Sequence, residues 1–231
     1  MEAASSKPLV CYGGEVFFRV WGESMSKRVV AFVDGFNLYH SISMPRFRKY
    51  RWLDLKKLVT HFLRSNESLD TLHYYTAFAT WRSQDSMSRH RAYISALEST
   101  GVNVTLGKFL QKTRSCPLCG GSFSAHEEKF TDVNIAVGIL SACIQGKADV
   151  ITLISGDNDL VPALEAAKLL YPQIDFTVLF PLGARVKSLT TLCTQNGFRY
   201  AKISEKHLAN AQLPEVISLP KITLQRPAHW N

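Results

Sequence analysis

No stretch of this sequence approaches the ~18 consecutive apolar residues of a membrane-spanning helix, so no such helix is expected. The first residues show no basic segment running into an apolar one, the pattern of an export leader. Cysteine is scarce and odd in number. Cys11, Cys116, Cys119, Cys143 and Cys193 stand at irregular spacing, which does not make the disulfide framework of a small secreted domain. Internal repeats and low-complexity tracts are absent as well. These absences point to a soluble protein of the reducing cytoplasm with no membrane partner.

What is present is a globular composition, 46% apolar and 20% charged over 231 residues, enough for a sizeable core in one domain with appendages. The net charge is +8. Residues 1–24 carry two bases against three acids, so residues 25–231 carry +9. That excess favours polyanionic partners and salt-sensitive association with them.

From Arg28 onward β-rich runs alternate with helical patterns. Strands are expected near Arg28–Val33, Leu72–Phe78, Val102–Leu110, Val150–Ser155, Asp175–Phe180 and Phe198–Ile203. Helices are expected at Leu53–Arg64, Asp85–Ser99, Asp132–Gln145, Leu160–Leu170 and Arg185–Gln195. Strands alternating with helices imply βαβ units and a doubly wound, mostly parallel α/β sheet with helices on both faces. Residues 1–26 read as an N-terminal appendage, with Met25 as a candidate start, residues 27–208 as the domain, and 209–231 as a tail lying on the surface or docking on a neighbour. Residues 112–129 read as a loop insertion around Cys116-Pro-Leu-Cys119-Gly-Gly.

Asp34 follows the first strand, at the sheet edge where open α/β folds bind ligands. Asp157 and Asp159 leave the strand Val150–Ser155 together. Each alone reads as a turn former or a helix cap. Grouped at strand tips, such acids repel and raise one another's pKa unless a cation compensates them. Asp132 opens an almost wholly apolar helix that should be buried on most sides; an N-cap at Thr131 and an acid suited to the helix dipole would explain it without any site.

Three blocks resemble the NYN domain, a PIN-like nuclease family: Phe32-Val-Asp-Gly-Phe-Asn-Leu-Tyr39, Glu128-Lys-Phe-Thr-Asp132-Val-Asn134 and Ser155-Gly-Asp-Asn-Asp-Leu160, in that family's order. The resemblance runs from about Lys27 to Leu208. It implies a sheet in which the first and fourth of these strands are neighbours, with Asp34, Asp132, Asp157 and Asp159 converging on Mg²⁺ or Mn²⁺ to hydrolyse RNA, single-stranded or structured. Hard divalent cations prefer such oxygen ligands, and they activate water and stabilise a leaving oxygen. Asn37 and Ser155 would orient water or phosphate, and Lys129 would meet phosphate charge.

Arg46, Arg48, Lys49 and Arg51 alternate with Phe47, Tyr50 and Trp52, a mixture of charge and stacking surface suited to single-stranded nucleic acid, or a solvated loop whose aromatics enter the core. Arg82, Arg89, Arg91, Arg185 and Lys187 are further basic candidates. Cys116 and Cys119 form half a zinc knuckle, with His126 as a candidate third ligand; two copies across a homodimer would supply four cysteines. A haloacid dehalogenase-type phosphatase needs an acid where Phe36 stands, and no Gly-x-Gly-x-x-Gly fills the first turn for a dinucleotide. The competing reading is a non-catalytic RNA-binding or scaffold protein on the same fold.

Overall fold

The computed structural model describes residues 26–184 and 187–230. Residues 1–25 of the N-terminal appendage, with the Met25 start, and Arg185 at the head of an expected helix lie outside them. The described chain begins with β1 (Lys27–Asp34), α1 (Gly35–Ser41), α2 (Leu55–Thr60), β2 (Glu67–Thr76), α3 (Gln84–Ser99) and β3 (Asn103–Leu106). It continues through β4 (Lys108–Ser115), β5 (Ser122–Lys129), α4 (Thr131–Ile144), β6 (Val150–Ile154) and α5 (Val161–Leu170). It ends with β7 (Asp175–Phe180), α6 (Lys187–Gln195), β8 (Arg199–Lys202), α7 (Glu205–Asn210), β9 (Val216–Ser218) and β10 (Thr223–Gln225). Short 3-10 turns cover Pro45–Tyr50, Asn158–Leu160 and Ala228–Trp230.

Six strands form one parallel sheet in the order β3-β2-β1-β6-β7-β8. The chain winds outward from β1 to β3, then returns to the other side of β1 as β6. The strand order reverses there and leaves a crevice at the carboxyl ends, the usual ligand position of open α/β sheets. β1 is buried on both faces because both are covered by helices, which explains its unbroken Val-Val-Ala-Phe-Val run. Ala31 and Val33 enter the core shared with Leu58, Leu97 and Trp52, while Val30 and Phe32 enter the opposite core with Ile135, Ile139 and Leu164.

Three sequence expectations are corrected and one open alternative is decided. The strand expected at Val102–Leu110 breaks at Gly107, and the 112–129 segment is no loop: β4 and β5 pair as an antiparallel hairpin with the cysteines at its tip. Its faces are largely solvated, so neither strand shows a buried pattern to read. The second correction concerns α4. Ile135, Ile139, Ala142 and Cys143 are buried, but Val133, Val137 and Ile144 are exposed, so the helix covers the sheet with one face only. Third, of the two readings open for the basic segment the core-entering one holds: Phe47, Tyr50 and Trp52 are buried, with Arg46 over the Phe47 ring and Lys49 over Tyr50. They offer no stacking surface to a base. Fourth, the tail closes the domain's own core: Trp230 lies against Trp52 and Tyr93, and Leu224 packs in the same cluster.

α4 approaches the sheet closely at Gly138, where an added methyl would stand 2.3 Å from the Tyr75 hydroxyl and 3.0 Å from the Phe32 ring. No described helix is long and apolar enough to cross a membrane.

Candidate functional site

β1 delivers Asp34 to the carboxyl edge of the sheet, and its neighbour β6 delivers Ser155, which follows Ile154, the register partner of Val33. Asp34 is only 3% exposed. Its Oδ1 accepts the backbone N–H of Asn37 at 2.9 Å, capping α1. Its Oδ2 accepts the Ser155 hydroxyl at 2.9 Å. Gly35 must follow, because a Cβ there would lie 2.5 Å from the Tyr75 carbonyl. The turn therefore admits no bulk beside the acid.

Ser155 Oγ also accepts the Asp157 N–H at 3.0 Å, and Asp157 Oδ1 accepts the Asp159 N–H at 3.0 Å. Asn37 Oδ1 accepts the N–H of Gly156 at 2.9 Å, tying α1 to the loop after β6. Capping and clustering are thus the same arrangement: bonds that fix the turns also aim the carboxylates. Asp132 comes from the first turn of α4, after Phe130, whose φ of 81° is left-handed. For a phenylalanine this is a strained conformation, held by the junction of β5 and α4. Thr131 is the first helical residue and not the cap; its hydroxyl donates to Glu128 Oε1.

Asp34, Asp132 and Asp157 each present a carboxylate oxygen such that all three lie within 4.8 Å of one another. Burial pushes the Asp34 carboxyl above its ordinary value, opposed by its two hydrogen bonds and reinforced by the charges of Asp157 and Glu128. Asp132 is raised by burial first, then by Asp157, Asp34 and Asp159. Asp159 is exposed at the rim, outside the close trio.

Glu128 is the acid that sequence reading passed over. Burial and the Asp132 charge raise its carboxyl, and it acts electrostatically on Asp34. It sits on β5, and its sequence signal was its place at the head of the block that runs to Asp132 and Asn134. Lys129 points the other way by strand alternation and pairs at 3.2 Å with Glu127, which also binds Lys112 at 2.8 Å and Arg114. It is not among the groups brought to the cluster. Cys116 and Cys119 stand at the hairpin tip, while His126 lies further along β5 and stacks on Trp81 at 3.9 Å; among the described residues no third ligand joins the cysteines.

Beside the carboxylates, between α1, α3 and the hairpin, lies a cavity of about 510 Å³. Arg51, Arg82 and Arg89 line one part, Trp81 and Phe109 another, and Glu128 joins it to the acidic cluster. Arg51 alone of the four bases expected in the 43–52 segment lines it.

The NYN domain family model matches residues 28–193. The chain belongs to the NYN domain family. The matched span takes in both strand tips and α4. The chain is 26% identical over 243 residues to 6-hydroxy-3-succinoylpyridine 3-monooxygenase HspA of Pseudomonas putida, covering 90% of this chain and 77% of that protein. Its fold resembles a protein of unknown function from Vibrio parahaemolyticus with a TM-score of 0.53, at 19% identity, covering 83% of this chain and 99% of that one. At that identity the likeness concerns the fold alone.

Proposed function

We propose that this NYN domain is a divalent-metal-dependent ribonuclease whose metal, Mg²⁺ or Mn²⁺, is held by Asp34, Asp132 and Asp157, with Asp159 at the rim. The observation that carries the reading is the meeting of those three carboxylates within 4.8 Å at the strand-order reversal. The donor set fits a hard cation, being all oxygen, and burial, reinforced by the neighbouring carboxylates, raises the carboxyls of Asp34 and Asp132, a cost that a bound cation would offset. Such a cation supplies Lewis acidity toward phosphate and activates water.

The chain's own residues do the rest. Ser155 and the Asn37 amide hold Asp34 in one rotamer, and the Asn37 side chain holds the Gly156 amide, so the turns need not reorganise when substrate arrives. Glu128, half-buried with a raised carboxyl, is suited to take a proton from the attacking water. The +9 body favours a polyanionic partner, a class to which RNA belongs. We assign the activity to the cytoplasm, in keeping with the free cysteines at 116, 119, 143 and 193.

The test incubates purified protein with single-stranded, structured and circular RNA in Mn²⁺, Mg²⁺ or EDTA. Metal-dependent cutting that disappears in the Asp157→Asn variant is expected, and scission of circular RNA marks an endonuclease. RNA that is bound but never cut overturns the enzyme reading in favour of a binding protein. One observation favours a second reading: the aromatic and arginine-lined cavity suits a small anionic aromatic, and HspA is named for oxygenating a succinoyl-bearing pyridine. Oxygen uptake with that pyridine and a nicotinamide or flavin reductant would establish it.

A further inference from the structure

The arginines around the cavity lack the partners that arginines ordinarily find. Among the described residues no carboxylate lies within ion-pair distance of Arg51, Arg82 or Arg89. Arg51 donates to the Ser43 carbonyl at 3.2 Å and lies over the Tyr39 ring at 4.7 Å, yet its Nε is buried with no acceptor. Arg48 Nε is buried and unpaired as well. Burial lowers the proton affinity of Arg51; Tyr39 opposes this, and the charges of Arg48, Arg89 and Arg82 add to the lowering. Like charges gathered round a partly desolvated space, with donors unused, need an anion to satisfy them.

Another part of the cavity wall is aromatic, beside aliphatic residues such as Leu38 and Leu53 and the imidazoles of His40, His90 and His126. Trp81 packs edge-on with Phe109 at 4.5 Å, Phe109 with Phe36 at 5.2 Å, and Phe36 is the second residue of α1, two positions after Asp34. The volume of about 510 Å³ falls in the range of single small-ligand sites. A duplex could not enter. Of the described acids only Glu128 lines the space, at the end nearest the metal ligands.

We propose that this cavity is a mononucleotide subsite, in which one base packs against Trp81, Phe109 and Phe36 and the phosphate attached to its nucleotide is held by Arg51, Arg82 and Arg89. The proposal rests on the ribonuclease reading for its function, since it assigns the subsite to the nucleotide flanking the phosphate to be cut. Recognition then requires an unpaired nucleotide, so the enzyme selects single-stranded segments through the arginine pocket and not through the acids.

The test titrates the full chain in EDTA, by calorimetry, with nucleoside 5′-monophosphates, unphosphorylated nucleosides and a pyridine carboxylate. Nucleotides are expected to bind at least about tenfold more tightly than nucleosides, since the phosphate supplies charge-assisted bonds. Arg82→Gln and Arg89→Gln, at positions without a structural partner, should each lose most of that difference and raise KM for single-stranded RNA more than they lower kcat. Arg51→Lys keeps the charge while breaking the fork geometry and should weaken nucleotides less than Arg51→Gln. Equal affinity for nucleoside and nucleotide, or binding of the pyridine carboxylate with no binding of nucleotides, overturns the proposal. RNA cleavage that survives Arg82→Gln and Arg89→Gln with KM unchanged overturns it too while leaving the ribonuclease standing. Nucleotide binding in a protein that never cuts RNA leaves the pocket standing and removes the ribonuclease.

Discussion

The hydroxyl of Ser155 donates to Asp34 Oδ2 at 2.9 Å across two neighbouring parallel strands. Because the same oxygen accepts the Asp157 amide, one small side chain links two carboxylates that are 123 positions apart in sequence. Ser155 is wholly buried, so neither bond competes with bulk water. Ser155→Ala should therefore cost about 1–3 kcal/mol of stability, through the unsatisfied Asp157 N–H. It should also lower cleavage about 10- to 100-fold through misaimed ligands. Denaturant titration and single-turnover cleavage measure the two effects, and a variant that is destabilised yet fully active would reduce Ser155 to a structural role.

Asp157 and Asp159 should separate. Asp157→Asn keeps an oxygen for the Asp159 amide but removes a charge from the close trio. Cleavage should fall by more than about 100-fold, beyond the effect typical of outer partners. RNA affinity should hold or rise, and the metal-free melting temperature should be unchanged or higher as repulsion is relieved. Asp159→Asn, at the exposed rim, should act in the same directions with a smaller loss. Equal losses in the two variants would place Asp159 on the metal with Asp157.

Acid should destabilise the protein through His90. Burial lowers its pKa from the ordinary 6.5 to about 4, and its Nε2 lies 3.3 Å from the Thr76 hydroxyl. Below pH 6.5 the unfolded chain takes up a proton that the folded chain refuses, so stability is present above 6.5 and is lost as pH falls toward 4. Melting temperatures between those limits should decline less steeply in His90→Asn than in the parent. Parallel slopes would mean that His90 is protonated in the fold.

Trp230 should matter first to stability, though it also lines the cavity. It is 6% exposed, with ring centroids 6.2 Å from Trp52 and 6.0 Å from Tyr93. Trp230→Ala opens a cavity in the core behind α3 and should cost about 3 kcal/mol, the lower end for such truncations. A change below about 1 kcal/mol, read by chemical denaturation, would show that the tail is dispensable.

The sheet was legible in the sequence because its central strands are buried on both faces and read as nearly unbroken apolar runs, as in Arg28–Val33 and Val150–Ile154. Asp34 and Asp157 could be placed for the same reason, each following such a run. The meeting of Asp132 with them came only from the family resemblance, since no spacing reveals where a helix crosses a sheet. The hairpin was misread because strand periodicity needs a buried face, and β4 has scarcely one. Glu128 was hidden with it. The cavity escaped because its walls come from segments around Phe36, Arg51, Trp81, Arg89 and Phe109, which no local pattern connects.

Gly138 has a bearing on the acids that its position in mid-helix conceals. The gap between α4 and the sheet is only as wide as a glycine allows, and the Tyr75 side chain beneath it is buried in the core. Asp132 hangs from the same helix six residues earlier, so its height above Asp34 is set by that contact. An alanine at 138 would work as a shim, tilting α4 and drawing one carboxylate off the other two. The spacing of the acidic trio is thus adjustable at a residue that carries no charge and touches none of its members.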